Sequence, residues 1–452
     1  MRIGCRGGGA GRGGRPRAAV PLALVILLLA PGTCAGVEVF ERTLDNGLKV
    51  LLVQERKAPV ATFHVWYRVG SRNERLGATG LSHLLEHMMF KGTPTTGPKE
   101  FTRIIQRNGG QDNAFTSHDY TGYYTSIAAD RVHLPVALEA DRMVNLLLQE
   151  EEVRTERDVV LEERRLRTED DPSAAVVEEM YAAAFKAHPY GNPVIGWMEE
   201  IHRLTREDLL QHYRTYYAPS NAVVVAVGDF DREALFARIR EAFGRIPRGP
   251  APPPVRSVEP PQQGERRVVV KREAKLPFIF AGYHTPTVGH PDSFALEVLA
   301  SVLADGKSSR LYRSLVYEQQ LALYAAASYD RLSADPSLFY LYAAALPGKG
   351  SEQVERALYA EVERLQKEPV AERELQKAKN QLEADFLLSQ DSIFSLARQI
   401  ATYEMVASWR EWERTLPGIR AVTAADVQRV ARAYLTADNR TVGVLVPLAM
   451  KE

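Results

Sequence analysis

Between Pro247 and Gly264 the chain reads PRGPAPPPVRSVEPPQQG, with seven prolines and almost no apolar side chain. Proline lacks a backbone N–H and fixes φ, so this stretch can join neither a helix interior nor a central strand, and it reads as a semi-extended linker. It divides the 452 residues nearly in half, and the two halves carry the same punctuation. Lys57-Ala58-Pro59-Val60 opens a strand in the first half, and Lys275-Leu276-Pro277-Phe278 does so in the second. Near the ends, Leu204-Thr205-Arg206-Glu207-Asp208 leads through Tyr217-Ala218-Pro219-Ser220-Asn221 to the strand AVVVAV. Likewise Val422-Thr423-Ala424-Ala425-Asp426 leads through Tyr434-Leu435-Thr436-Ala437-Asp438-Asn439 to TVGVLV. A threonine three residues before an acid starts a helix. The same order at both ends of both halves points to duplication. The expected fold is α+β: two homologous α/β-sandwich domains, 37–246 and 265–452, each a mixed sheet with helices packed on it, joined by the linker 247–264. With 45% hydrophobic and 25% charged residues the chain has ample core material.

Only the first half contains Gly80-Leu81-Ser82-His83-Leu84-Leu85-Glu86-His87-Met88-Met89-Phe90. On a helix, positions i, i+3 and i+4 share a face, so His83 and His87 can offer imidazole nitrogens to one metal ion, with Glu86 beside it. Leu81, Leu84, Leu85, Met88 and Met89 bury the helix, and buried imidazoles need partners. Two histidines, a later carboxylate and an open water position make a catalytic zinc site. The acidic segment Glu151–Arg167 offers Glu156 and Glu163, two turns apart on one face, with Glu162 about 100° away. By itself such a helix reads first as a solvated charged face, so the third ligand stays open at this point. Around the motif, Val37–Val53 reads as a hairpin turning at Asp45-Asn46-Gly47 and Val60–Val69 as a central strand. Gln111–Ile127 reads as two strands turning near Asp119, and Arg131–Leu148 as a helix.

Residues 1–36 hold Arg2, Arg6, Arg12, Arg15 and Arg17 and no acid; without them 52 basic face 57 acidic groups, a net charge near −5. That balance gives no footprint for nucleic acid. The arginines precede the apolar run Ala18–Ala30 and the small residues up to Ala35, the pattern of a secretory signal peptide over 1–35. Cleavage after Ala35 is expected, an uncleaved anchor being the alternative and a lipid anchor at Cys34 a weaker one. The run is too short to span a bilayer comfortably. Both cysteines, Cys5 and Cys34, fall in this segment, so the mature chain would carry no disulfide. The expected location is an exported compartment, the bacterial periplasm.

His-x-x-Glu-His is the inverzincin signature, and the chain resembles the pitrilysin family, which includes insulin-degrading enzyme and mitochondrial processing peptidase, in its short two-domain bacterial type. The resemblance spans about residues 38–447. It rests on the motif, on a glutamate 76 residues after His87 with another seven before it, on Asn113-Ala114-Phe115-Thr116-Ser117, on His188-Pro189-Tyr190-Gly191 and on Tyr217-Ala218-Pro219-Ser220-Asn221-Ala222. It implies one zinc per chain on His83, His87 and Glu163, Glu86 as the base that activates water, and Glu156 as a supporting carboxylate. It also implies that Asn113, Ala114, Phe115 and Thr116 lie on an edge strand that pairs with extended peptide substrate. The implied activity is zinc endopeptidase. A processing peptidase for one dedicated precursor, or a non-catalytic structural homologue, are the alternatives.

The family encloses substrate in a clamshell of two two-domain halves, of which this chain would be one. The half facing the zinc supplies an Arg and a Tyr seven residues apart. Aligned on Gly306-Lys307-Ser308-Ser309-Arg310-Leu311 and Leu321-Ala322, this chain has Val316 and Leu323 at those places. Tyr324 comes one residue late, which on a regular strand is the opposite face. The resemblance therefore implies a heterodimer with a paralogous chain that supplies the Arg/Tyr pair, a homodimer being the alternative.

Overall fold

A computed structural model describes residues 37–449, so the leader expected over 1–35 lies outside the described residues. In the first half, β1 (Phe40–Thr43), β2 (Lys49–Gln54), β3 (Val60–Tyr67), β4 (Gln111–Thr116), β5 (Thr121–Ala128) and β6 (Ala222–Gly228) form one sheet in the order β1-β2-β6-β3-β5-β4. In the second, β7 (Arg266–Glu273), β8 (Phe278–Thr285), β9 (Ala322–Tyr329), β10 (Ser337–Ala345) and β11 (Arg440–Leu448) are ordered β7-β11-β8-β10-β9. The two orders are the same apart from the extra β1. In each, one parallel pair (β2 with β6, β7 with β11) is followed by antiparallel neighbours. The register agrees as well: Tyr67 stands opposite Ala222 and Tyr283 opposite Arg440, each one residue past the repeated asparagine. Both helix-start signals form, with Thr205 accepting from the Asp208 N–H at 3.2 Å and Thr423 from that of Asp426 at 3.1 Å.

Each sheet covers its own core, but the halves interlock by exchanging a helix. Asp171 caps Pro172–Ala184 by accepting from the Ser173 and Ala174 amides. This first-half helix lies on β7, β8 and β11, with Val176 and Met180 fully buried. A Cβ at Gly443 would stand 2.7 Å from Val176, so glycine admits the helix to the sheet. In return, Ile393–Val406 of the second half lies on β3 and β6. Its buried Glu404 pairs with Lys49 at 2.9 Å and Arg68 at 2.8 Å. The chain from Val39 onward is therefore one compact unit.

Three local expectations change. The helix expected over 131–148 spans only His133–Arg142; beyond it the Leu147 N–H turns to the Gly92 carbonyl and Leu148 takes a φ of +46°. The acidic helix runs Glu150–Arg164 and then widens into a π-helical turn, Arg165–Glu169. Third, β9 carries a bulge: Ala322 faces Ala345 and Tyr324 faces Ala344, leaving Leu323 as the extra residue. A bulge re-aims side chains; Leu323 (54% exposed) and Tyr324 (42%) both reach solvent, and Tyr324 packs edge-on against Tyr342, ring centroids 6.2 Å apart. Among the described residues no helix is long and apolar enough to cross a membrane.

Candidate metal centre

The motif segment forms the helix Leu81–Met88, with Leu84, Leu85 and Met88 fully buried in the first core. Gly80 precedes it with a φ of +89°, and a Cβ there would meet the Ile195 carbonyl oxygen at 2.6 Å. Glu74 closes the helix start, its two oxygens accepting the Gly80 and Ser82 amides at 2.7 Å each. Burial raises Glu74 to about 8, against the pull of those hydrogen bonds. Glu200 holds the preceding turn through the Gly77 and Thr79 amides. Gly80→Ala is expected to cost ~1–3 kcal/mol in denaturant unfolding, as other residues forced to positive φ do. Zinc occupancy should fall with it. Unchanged stability and metal content would show that this entry turn does not set the site.

His83 Nε2 and His87 Nε2 lie 3.8 Å and 3.4 Å from Glu163 Oε2, and all three donor atoms lie within 4.8 Å of one another. Ligands at about 2.0–2.2 Å from a tetrahedral zinc stand roughly 3.3–3.6 Å apart, so the donors are near the required spacing, and their chemistry suits zinc. Glu163 is fixed from its neighbour: the buried Arg164 binds Glu178 through two hydrogen bonds, at 2.9 and 2.8 Å, and the Gly196 carbonyl at 2.9 Å.

Glu156 Oε1 accepts from His87 Nδ1 at 2.9 Å, leaving Nε2 to face the other two donors. A carboxylate on the far nitrogen fixes ring orientation and raises ligand basicity. Lys91 pairs with the other oxygen of Glu156 and with Glu152 at 3.6 Å. His83 Nδ1, by contrast, is buried with no hydrogen-bond partner among the described residues. Burial lowers His83 to about 4, and the His87 charge adds to this, so its ring is neutral near pH 7. For His87 burial is outweighed by the Glu156 and Glu163 carboxylates, which raise it to about 9. The hydrogen bond to His87 holds Glu163 below the usual carboxylate range. Glu86, on the same helix, is raised by burial and accepts the Thr116 hydroxyl at 2.6 Å.

β4 is an edge strand, bonded only to β5. Alternation along it divides the four expected substrate-binding residues. Ala114 packs on the first core and Thr116 reaches Glu86, on the side of the motif helix. Phe115 packs edge-on against Trp66 on the other face, ring centroids 4.9 Å apart, and the Asn113 side chain accepts the Ala114 amide at 2.9 Å. All four line a cleft of about 1040 Å³ that also holds His83, Glu86, His87 and Glu163. Sequence reasoning missed Glu74, Lys91 and Arg167. Arg167, one turn past Glu163, holds that carboxylate's other oxygen at 2.7 Å. The i, i+4 spacing could have flagged Arg167; Glu74 sits in an irregular loop without a periodic signal.

Comparison with known proteins bears on the family and the fold. Residues 49–197 match the family model Insulinase (Peptidase family M16), and residues 203–382 match the Peptidase M16 inactive domain. A Helicobacter pylori protein, zinc protease PqqE, is 34% identical over 412 residues, covering 90% of this chain and 92% of that one. The crystal structure of a protease from Helicobacter pylori aligns with a TM-score of 0.88 at 33% identity, over 91% of this chain and 100% of the other. The periplasmic protease PqqL from Escherichia coli shares the fold at 18% identity and a TM-score of 0.76. It matches 91% of this chain with 48% of its own length. Matched in both halves and along nine-tenths of its length, the chain belongs to peptidase family M16, the insulinase family.

Proposed function

We propose that this chain is a zinc-dependent endopeptidase acting on peptides or unfolded polypeptides in an exported compartment. Its zinc-bearing repeat is residues 37–246 and its second repeat 265–452. The observation that carries the reading is the convergence of His83, His87 and Glu163 with Glu86 on one wall of an open cleft. Zinc bound by the three would act as a Lewis acid and lower the pKa of water in the site. Glu86 takes the proton of the attacking water and returns it to the leaving amine. Glu156 and Lys91 keep the His87 ring aligned. The free edge of β4 receives substrate as an added strand. The names carried by relatives, zinc protease and protease, support the same chemistry.

The test is hydrolysis of a random peptide library by purified protein. Chelation should remove activity by at least ~100-fold, and added zinc should restore it. Hydrolysis indifferent to chelator, in protein shown to be metal-free, would overturn the proposal.

The partner reading extends this proposal. Val316 is half-buried against the second core, and Leu323 and Tyr324 are exposed on β9. Tyr324, one residue past the aligned position, is a surface tyrosine. Counting seven back from Tyr324 gives Tyr317, so in either register the arginine is absent. We assign the missing donor to a paralogous chain in a heterodimer. PqqL, twice the length matched here, is long enough to hold two such halves in one polypeptide.

A further inference from the structure

We infer that Thr116 is a positioning residue for Glu86: its hydroxyl fixes one carboxylate oxygen and leaves the other free for the attacking water. This rests on the reading of Glu86 as the base. The resemblance offered Thr116 only as a substrate contact.

Glu86 carries its carboxylate on two methylenes, and its neighbours include the like-charged Glu163, so an orienting partner is needed. Thr116 Oγ1 supplies it at 2.6 Å. The alternative acceptor for that hydroxyl, Thr121 Oγ1, is 3.5 Å away. Thr121 is fully buried and donates its own proton to the Val69 carbonyl at 2.9 Å. The Thr116 proton is therefore directed at Glu86. A β-branched side chain is stiff at χ1, so the hydroxyl stays where the backbone puts it.

That backbone is itself held. Thr116 ends β4, paired with Thr121 of β5. The turn between them is fastened by Asp119, which accepts from Tyr190 Oη at 2.6 Å, from Arg72 at 3.2 Å and from the Ala334 amide at 3.1 Å. The strand offered to substrate thus also aims the base, and a small misplacement at a reacting centre can cost about 100-fold.

The experiment compares Thr116→Val, isosteric without the hydroxyl, and Thr116→Ser, which keeps it, in zinc-loaded enzyme in its active assembly, with a fluorogenic peptide. For Thr116→Val, kcat is expected to fall about 10- to 100-fold, with KM within about threefold and zinc content unchanged. Thr116→Ser is expected to recover most of kcat. If Val unfolds the chain, Thr116→Ala makes the same comparison. Wild-type kcat in Thr116→Val, beside an inactive Glu86→Gln, refutes the inference and leaves the base reading intact. A raised KM with unchanged kcat also refutes it, because Thr116 then serves substrate binding. A Ser variant as slow as Val refutes it too, because the methyl group is then what matters. An active Glu86→Gln overturns the base reading and this inference together.

Discussion

Replacing Glu86 by Gln will leave zinc bound and abolish peptide hydrolysis, lowering kcat by ~1,000-fold or more. Glu86 shares a helix with His83 and His87 but stands outside the group of three donors that converge. Its removal therefore takes a proton acceptor from the cleft without taking a ligand. General-base catalysis contributes about 100- to 10,000-fold, and the amide of Gln cannot accept the proton. The substitution is nearly isosteric and still accepts the Thr116 hydroxyl, so the fold should persist. Steady-state kinetics beside metal analysis of the same preparation checks this. Loss of zinc in Glu86→Gln would make Glu86 a ligand; retained activity would mean that another group takes the proton.

The second large effect concerns the partner. Purified alone, the chain should bind zinc yet hydrolyse peptides slowly; joined by a paralogous two-domain chain that carries Arg-x6-Tyr, it should gain about 100- to 1,000-fold in kcat. That is the typical loss when a single donor to the developing oxyanion is removed. The reason lies just before β9: Val316 and Tyr317, in the helical segment Tyr312–Glu318, offer no cation in either register. Co-expression with the product of a neighbouring paralogous gene, followed by size-exclusion chromatography and kinetics on each fraction, makes the comparison. Full activity in a fraction holding this chain alone would contradict it.

Much of this molecule was legible in its sequence because the signals are periodic or local. The motif helix, the hairpin at Asn46-Gly47 and the two threonine-capped helices follow from side-chain spacing. Duplication followed from repeated order, and the matching sheets bear it out. What sequence did not reveal are the long-range choices. The exchange of helices 172–184 and 393–406 depends on which sheet face each meets, and Gly443 admits one of them only in three dimensions. The bulge at Leu323 adds one residue against a partner strand, which no single-strand pattern can show. Alternation along β4 was readable, but not that Thr116 would fall on Glu86 while Phe115 turned to Trp66. Glu74 closes the motif helix from a loop, where only the fold brings its carboxylate to the amides of Gly80 and Ser82.

The central claim is that His83, His87 and Glu163 hold one zinc that peptide hydrolysis requires. The most direct measurement is zinc stoichiometry in purified wild type and in Glu163→Gln, with hydrolysis of one peptide followed in both. One zinc per chain and chelator-sensitive hydrolysis are expected in the wild type, with both metal and activity largely lost in the variant. One zinc per chain retained in Glu163→Gln, or hydrolysis by wild type stripped of metal, would contradict it.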